Sequence, residues 1–247
     1  MEIRFLGTNG WFDTRTGNTT CVFINSKNYY IIFDAGNGIY KIGRYINEAK
    51  PVCLFLSHFH LDHIIGLHIL NKFHFPGGLV LFGMEGTDQI LQTFVNEPFT
   101  IPFADYSYPV TIRELSEGTH AVPFPVECRA LLHSTRCFGY RITVDGTTIT
   151  YCTDTGVCDS AIQLARNADL LITECSLKPG KKNPGWPHLN PQDAIFIAKK
   201  SKAKKLALIH FDADTYKTIH ERRLIQKEMK KYFPGLIVTT DGKKIIV

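Results

Sequence analysis

The sequence predicts an α/β protein in which two β-sheets pack face to face and helices cover their outer sides, a four-layer αββα sandwich. Short apolar runs typical of buried strands recur along the chain, for example at Val52–Leu56 and Leu206–Ile209. The order of elements, mainly strands and then strands mixed with helices, occurs twice. No linker, low-complexity segment or short repeat interrupts the chain, so we expect one domain covering residues 1–247.

The first half of the chain contains several strand-like runs and three helical patterns. Ser26-Lys-Asn28 joins two of the strands as a hairpin. Glu97–Pro109 contains three prolines and several aromatic residues, so we expect an irregular segment that serves as a lid or a dimer contact. The expected strands are Ile3–Leu6, Thr20–Ile24, Tyr30–Phe33, Val52–Leu56, Leu79–Phe82 and Val110–Leu115, and the expected helices are Ile39–Ile46, Ile64–Phe73 and Thr87–Asn96.

The second half begins with strands and continues with alternating strands and helices. Asp145-Gly146 lies between two apolar runs and is a strong signal for a two-residue hairpin turn. Two short strands are expected around Asp241-Gly242, one before it and one after it. The other expected strands are Val126–Leu132, Phe138–Val144, Thr147–Cys152, Leu170–Thr173 and Leu206–Ile209, and the expected helices are Ala161–Arg166, Pro191–Lys200 and Thr215–Lys231.

The composition favours a soluble, cytoplasmic protein without a membrane partner. The chain is 44% hydrophobic and 21% charged, which is ordinary for a globular protein. The seven cysteines form no Cys-x-x-Cys pair, and their odd number favours free thiols in a reducing compartment over a structural zinc site. We expect neither a secretory signal nor a membrane span, because no apolar stretch reaches about 18 residues.

Positive charge is concentrated towards the C-terminus. Residues 176–247 contain 16 Lys and Arg but 6 Asp and Glu, whereas the net charge of the whole chain is +5. Such a region either attracts a phosphorylated or nucleic-acid ligand or forms the solvated face of a helix. The solvated face is the preferred interpretation, because no Arg-rich or aromatic-interleaved run accompanies the lysines.

Residues 52–66 carry the strongest functional signal. The apolar run Val52–Leu56 predicts a buried strand, and four metal-binding side chains follow it within six residues. They are His58, His60, Asp62 and His63. In an extended segment the first two point to the same side, because side chains alternate with a period of two. A turn can direct the other two towards a second ion, since two-metal sites separate their ions by about 3.5–4 Å.

Three further strands are expected to end in a potential metal ligand: His133, Asp154 and His210. The expected sites are one ion held by His58, His60 and His133, and another held by Asp62, His63 and His210. Asp154, which has two oxygens, is expected to bridge them. Imidazole and carboxylate without thiolate favour Zn²⁺, with Mn²⁺ and Fe as alternatives. Two such cations acidify water and so provide a nucleophile near neutral pH without a Ser or Cys.

The His-x-His-x-Asp-His sequence at residues 58–63 resembles the motif of the metallo-β-lactamase superfamily. His133, Asp154 and His210 resemble later motifs of its phosphodiesterase branch, which includes ribonuclease Z and the cyclic phosphodiesterase of bacterial phosphonate degradation. The resemblance implies the αββα fold and a hydrolytic site with one or two metal ions at one edge of the sandwich. It extends over nearly the whole chain through Leu6–Thr8, Phe33–Gly36, Gly139–Ile142, Asp169–Glu174 and Leu208–Phe211.

The resemblance also implies roles for Glu174 and His188. In the branch, a similarly placed His, sometimes paired with a Glu, lies beside the phosphate and assists the leaving oxygen, because an alkoxide leaves poorly. The alternative for His188 is a loop residue that caps the following helix. We expect Asp62, Glu174 and His188 to be the catalytic residues. Asp34, at another strand end, is expected either to orient a ligand histidine or to cap the next helix.

Two departures from the branch narrow the expected substrate. His133 and Asp154 are only 21 residues apart, which leaves no room there for the long arm with which ribonuclease Z binds tRNA. Asn9–Thr19 contains no cysteine, unlike the zinc loop of the cyclic phosphodiesterase. We therefore expect a metal-dependent hydrolase acting on a small, cyclic or nucleotide-like phosphodiester. The alternatives are a ribonuclease Z-like nuclease that processes RNA 3′ ends, and a non-hydrolytic nucleic-acid-binding protein of the same fold.

Overall fold

The computed structural model describes residues 1–247. The strands are β1 (Glu2–Gly7), β2 (Asn9–Gly10), β3 (Cys21–Asn25), β4 (Tyr30–Phe33), β5 (Val52–Phe55), β6 (Leu79–Met84), β7 (Val110–Leu115), β8 (Gly118–Ala121), β9 (Pro125–Ala130), β10 (Phe138–Val144), β11 (Thr147–Cys152), β12 (Leu170–Glu174), β13 (Leu206–Ile209), β14 (Phe211–Asp212), β15 (Leu236–Val238) and β16 (Lys244–Ile246). The helices are α1 (Leu61–Ile64), α2 (Thr87–Phe94), α3 (Asp159–Leu164), α4 (Pro191–Ser201) and α5 (Ile219–Met229). Short 3₁₀ helices cover Asn37–Arg44, Ile65–Lys72 and Phe103–Asp105.

Two seven-stranded sheets form the centre of the fold. The first has the order β16-β1-β3-β4-β5-β6-β7, and the second has the order β15-β13-β12-β11-β10-β9-β8. In the first sheet β4, β5, β6 and β7 are parallel, and in the second β11, β12, β13 and β15 are parallel. β2 and β14 form a separate short pair.

Strand β4 shows how one strand contributes to two layers. Ile31 and Phe33 pack in the core between the sheets, whereas Tyr30 and Ile32 pack beneath the helices outside the first sheet. This division follows from the period of two in a strand. A third core lies between the second sheet and α3, α4 and α5. The predicted four-layer αββα sandwich is confirmed.

The helix predicted over Ile64–Phe73 has a different form. One turn of α-helix ends at Ile64, and a 3₁₀ helix continues to Lys72. Gly66 donates its N–H to the carbonyl of Ala35 at 2.7 Å, and a Cβ on Gly66 would meet Ile39 at 2.4 Å. Contacts with the loop around Ala35 and Ile39 therefore determine the conformation of this segment, and its apolar periodicity alone does not.

The two C-terminal strands belong to different sheets and do not pair with each other. The two short strands predicted around Asp241-Gly242 are present, but β15 pairs with β13 in the second sheet and β16 pairs with β1 in the first.

Helix α5 begins at Ile219 and not at the predicted Thr215, because Thr218 and Glu221 form a capping box there. Strand β8 was not predicted, since its four residues have no apolar alternation. No helix is both long and apolar enough to cross a bilayer.

Parallel strands in both sheets bring the predicted site residues to one edge. Asp34 follows β4, His58 lies just beyond β5, and Asp154 just beyond β11. Glu174 ends β12, and His210 follows β13. The carboxyl ends of parallel strands are where loops of α/β proteins commonly form ligand sites.

Candidate metal centre

Three of the predicted site residues lie at sharp changes of chain direction. Asp34, Asp154 and His210 have φ values of 57°, 50° and 53°, in the left-handed region that non-glycine residues seldom adopt. All three are buried. Non-glycine residues keep this backbone conformation only where the surrounding structure stabilises it, and such residues are concentrated at functional sites.

His58, His60 and His133 form a group that we call the open cluster. His58 Nε2 lies 2.9 Å from His60 Nδ1, and His133 Nε2 lies 3.3 Å from the same atom. Asp154 Oδ2 lies 3.7 Å from His58 Nε2 and 3.8 Å from His133 Nε2. His60 is exposed to solvent. The predicted convergence of His58 and His60 is present.

Asp62, His63 and His210 form a second group that we call the buried cluster. The Nε2 atoms of His63 and His210 lie 3.1 Å apart, and Asp62 Oδ2 lies 3.5 Å and 3.2 Å from them. Asp154 Oδ1 lies 3.3 Å from His63 Nε2 and 3.1 Å from His210 Nε2. The two oxygens of Asp154 therefore face different clusters.

The spacing of these atoms fits divalent cations. Ligands about 2.0–2.1 Å from a tetrahedral zinc ion lie ~3.3 Å from one another. The distances between donor atoms given above run from 2.9 Å to 3.8 Å, on either side of that value. Imidazole nitrogens and carboxylate oxygens are also the ligand types that zinc and related ions take. Both the chemistry and the spacing of the donor atoms support binding of a divalent metal.

The charges around the buried cluster stabilise cations. Burial lowers the pKa of His210, but Asp154 and Asp62 outweigh burial and raise the pKa of His210 to about 8. Burial likewise opposes ionisation of Asp154, yet His210 and His63 hold the pKa of Asp154 well below its usual range. In the open cluster burial dominates and lowers the pKa of His133 to about 4. His133 therefore presents an unprotonated nitrogen, which a metal ligand requires.

Asp34 orients a histidine of the buried cluster. Its Oδ2 atom lies 2.8 Å from His63 Nδ1. Because a carboxylate only accepts, Nδ1–H donates and the lone pair on Nε2 faces the cluster. Asp34 also accepts hydrogen bonds from Ser57 and from the hydroxyl of Tyr151. The alternative role as a helix cap is wrong, because Gly36 is the N-cap and no side chain bonds there.

Glu174 and His188 form a buried pair beside the two clusters. His188 Nδ1 donates to Glu174 Oε1 at 2.6 Å, which leaves Nε2 as the free ring nitrogen. A ring nitrogen of His188 lies within 4.8 Å of donor atoms of Asp154 and His210. Burial lowers the pKa of His188, but Glu174 outweighs it and raises that pKa. The helix-cap alternative for His188 is wrong, because Asn190 caps α4.

The clusters and His188 open into a cleft of about 770 Å³. Two residues that line this cleft, Trp11 and Trp186, were not predicted from the sequence. Trp11 donates its backbone N–H to Asp62 Oδ2 at 2.7 Å, and the ring of Trp186 lies 4.0 Å from that of His188. Both lie in loops without strand-end patterns. The only signal was that they are the two tryptophans of the chain, both in Gly-containing loops.

One further residue contacts this centre, and one further cavity lies elsewhere in the protein. Ser176, also missed, places its hydroxyl 3.2 Å from His210 Nδ1. A larger cavity of about 1070 Å³ lies between α2 and the segment from Phe103 to Glu114, and it contains none of the predicted site residues. The irregular segment Glu97–Pro109 therefore borders that cavity and contributes no lining residue to the cleft.

Comparison with known proteins identifies the family. Residues 29–211, which include every cluster residue, match the β-lactamase superfamily domain. The chain belongs to the β-lactamase superfamily. The crystal structure of the metallo-β-lactamase fold protein YhfI from Bacillus subtilis is similar, with a TM-score of 0.81 at 25% sequence identity, covering 99% of this chain and 98% of that one. The sequence of YhfI from strain 168, named a probable metallo-hydrolase, is 26% identical over 241 residues, 95% of each chain.

Two other proteins are similar along the full length of the chain. Ribonuclease Z of Bacillus velezensis is 25% identical over 310 aligned residues, which cover 100% of this chain and 99% of that one. A diphosphatase from the PhnP family shares the fold, with a TM-score of 0.72 at 20% identity and coverage of 100% and 97%. Family membership and the His/Asp clusters together support a metal-dependent hydrolase.

Proposed function

We propose that this protein is a phosphodiesterase that hydrolyses a small, cyclic or nucleotide-like diester. The main support is the Glu174–His188 pair, because it places a histidine that protonates readily beside Asp154 and His210. A phosphodiester needs such a proton donor more than an activated ester does, since its alkoxide leaves poorly. Residues from both sheets build the cleft, which supports the proposal that residues 1–247 act as one domain.

Two divalent ions fit the donor atoms, with Zn²⁺ preferred and Mn²⁺ or Fe as alternatives. The open cluster would hold one and the buried cluster the other, and Asp154 would bind both through its separate oxygens. When bound, the ions would lower the pKa of a water molecule and stabilise charge on the phosphoryl oxygens.

The side chains of the protein provide orientation and a proton. Asp34 and Ser176 fix the rings of His63 and His210 from outside the cluster. Glu174 fixes His188 through Nδ1 and favours its protonated form. The protonated ring would donate from Nε2 to the leaving oxygen as the P–O bond breaks.

Processing of RNA 3′ ends is a second candidate, favoured by the full-length similarity to ribonuclease Z. Two observations favour the smaller substrate. The alignment spans 310 positions against 247 residues, so that ribonuclease Z contains segments that this chain lacks. The hairpin β10–β11 also fills most of the interval between His133 and Asp154, where the arm is absent.

Hydrolysis by the zinc-loaded protein tests this proposal. The substrates are bis-p-nitrophenyl phosphate, cyclic nucleotides, a short RNA and, as a control for a related chemistry, a chromogenic lactam. We expect turnover of a small diester without comparable turnover of the lactam. Preferential lactam hydrolysis, or no diester turnover at full metal occupancy, would contradict the proposed function.

A further inference from the structure

Both tryptophans of the chain line the same cleft, and packing does not explain their positions. Trp11 is 67% exposed, and Trp186 is partly exposed. Neither belongs to any of the three hydrophobic cores. Tryptophan is among the side chains that most often carry binding energy, and its ring stacks on other planar rings.

Several hydrogen bonds hold the backbone of the loop that carries Trp11. Trp11 has a φ of 74° although it is not glycine, and its N–H is bound to Asp62. The side-chain amide of Asn9 donates to three acceptors in the same loop, among them the carbonyls of Phe12 and Gly17. Asn9 in turn accepts a 2.5 Å hydrogen bond from the fully buried Arg222. The backbone that carries the exposed indole is therefore fixed by hydrogen bonds before any ligand binds, which lowers the entropic cost of ordering this loop.

Trp186 lies on the side of the cleft where the leaving group is proposed to depart. Its ring centroid is 4.0 Å from that of His188, and the carbonyl of Trp186 accepts a hydrogen bond from the backbone N–H of His188 at 2.9 Å. A group that accepts a proton from His188 is therefore adjacent to an indole.

The charges in the cleft disfavour polyanions. Its lining residues include four aspartates, Asp62, Asp154, Asp212 and Asp214, and neither lysine nor arginine. Proteins bind RNA and other polyanions largely through Lys and Arg. With two of these carboxylates assigned to the metal clusters, the remaining pair would repel phosphates beyond the one at the reacting centre.

We propose that Trp11 and Trp186 form an aromatic subsite that binds a planar ring, such as an aryl group or a nucleobase, on a singly charged ester. This proposal rests on the proposed function for the position of the leaving group. Stacking of a base on an aromatic side chain changes affinity by roughly 5- to 150-fold. We therefore expect an aromatic substituent to bind about tenfold more tightly than a methyl group.

Equilibrium binding to the zinc-loaded protein tests the subsite. Methylphenylphosphinate and dimethylphosphinate form a pair of equal charge without a scissile ester, and benzoate and acetate form a second pair with a different acid group. Calorimetry gives the affinities, and quenching of intrinsic fluorescence reports on the cleft directly, because both tryptophans line it. The aromatic member of the phosphinate pair should bind about tenfold more tightly and quench the fluorescence.

Variants assign the effect to each ring. Trp186→Ala and Trp11→Asn should each reduce the preference for the phenyl group, while Trp186→Phe and Trp11→Phe retain most of it. Asparagine is used at position 11 because it adopts left-handed backbone more readily than alanine. Phe196→Ala is the matched control, since Phe196 is 44% exposed but lies outside the cleft. Zinc content and circular dichroism should match the wild type in every variant.

The outcomes separate the subsite from the proposed function. Equal affinity within both pairs would overturn the subsite and leave the phosphodiesterase proposal intact. A phenyl preference in the carboxylate pair alone, without phosphinate binding, would support the subsite and contradict the phosphodiesterase. Loss of zinc in Trp11→Asn would make Trp11 a support for Asp62 and overturn its part in the subsite.

Discussion

The buried cluster and the open cluster differ in how firmly the surrounding protein holds them. Each member of the buried cluster has a hydrogen-bond partner outside the cluster. The members and their partners are His63 with Asp34, His210 with Ser176, and Asp62 with the backbone of Trp11. In the open cluster His58 Nδ1 lies 3.0 Å from Ser57 Oγ, but His60 is exposed, and Nδ1 of His133 is buried without a hydrogen-bond partner.

This difference predicts unequal metal sites. Outer partners fix the orientation of a ligand ring and increase its basicity, and losing one typically costs 10–100-fold in metal affinity. In addition, a neutral His133 that binds metal through Nε2 carries a buried Nδ1–H without an acceptor, which is unfavourable. We therefore expect the buried cluster to bind its ion more tightly than the open cluster does. The ligand rings of the open cluster are less firmly oriented by the protein.

The largest effect is expected from Asp154→Ala, because Asp154 is the one residue that both clusters share. The variant should lose at least one ion, since two cations would otherwise lie close together without a bridging anion, and diester turnover should fall to background. Elemental analysis and kcat/KM measure both effects. Asp214→Ala is the control, because Asp214 lines the cleft but belongs to neither cluster. Two ions in Asp154→Ala would show that the clusters are independent.

His188→Ala should have the next largest effect, and the effect should depend on the leaving group. Loss of a general acid typically costs ~10²–10⁴-fold, and the loss is greatest when the leaving oxygen is basic. Alkyl diesters should therefore suffer severely, whereas p-nitrophenyl diesters should suffer little. The measurement is kcat/KM over a series of leaving-group pKa values, with both ions still bound. If kcat/KM depends on leaving-group pKa with the same slope in the wild type and in His188→Ala, His188 does not donate a proton. Loss of an ion in the variant would show that His188 is a metal ligand.

Asp34→Asn should weaken metal binding at the buried cluster by about 10–100-fold, because it removes the carboxylate that orients His63. Competition with a chelator measures the affinity. Tyr151→Phe serves as the control, since it removes another hydrogen bond to Asp34 but keeps the contact with His63. Equal losses in both variants would attribute the effect to general loss of packing around Asp34.

The lowest turnover by the wild-type protein is expected with RNA. Because the arm is missing between His133 and Asp154, a 3′-extended precursor tRNA should be cleaved far more slowly than a small diester. The measurement compares kcat/KM for the two substrates with one zinc-loaded preparation. Comparable rates, with cleavage at the 3′ end, would favour the ribonuclease Z alternative and show that another surface replaces the arm.

The residues of both clusters could be predicted because each lies at the end of an apolar strand or in the loop and helix turn that follow it. Period-two alternation predicted that His58 and His60 converge, and the hairpin at Asp145-Gly146 was visible as a dipeptide. These signals are local. The fold class was predictable for the same reason, since the order of elements appears in the sequence.

Other parts of the centre depend on contacts between distant segments. Nothing near Trp11 in the sequence indicates that its N–H binds Asp62, 51 residues away. Ser176 contacts His210 only because β12 and β13 are parallel neighbours. The same applies to β16, which pairs with β1 from the opposite end of the chain. Such pairings follow from packing of the whole domain and leave no pattern in a short stretch of sequence.

Stepwise metal titration of the folded apo-protein tests the central claim most directly. We expect about two zinc ions per chain, bound in a tight step and a weaker step. His60→Ala, in the open cluster, should abolish the weaker step and keep the tight one, whereas His63→Ala should abolish the tight step. Zinc stoichiometry near zero in well-folded protein, or loss of the tight step in His60→Ala, would contradict this account of the two clusters.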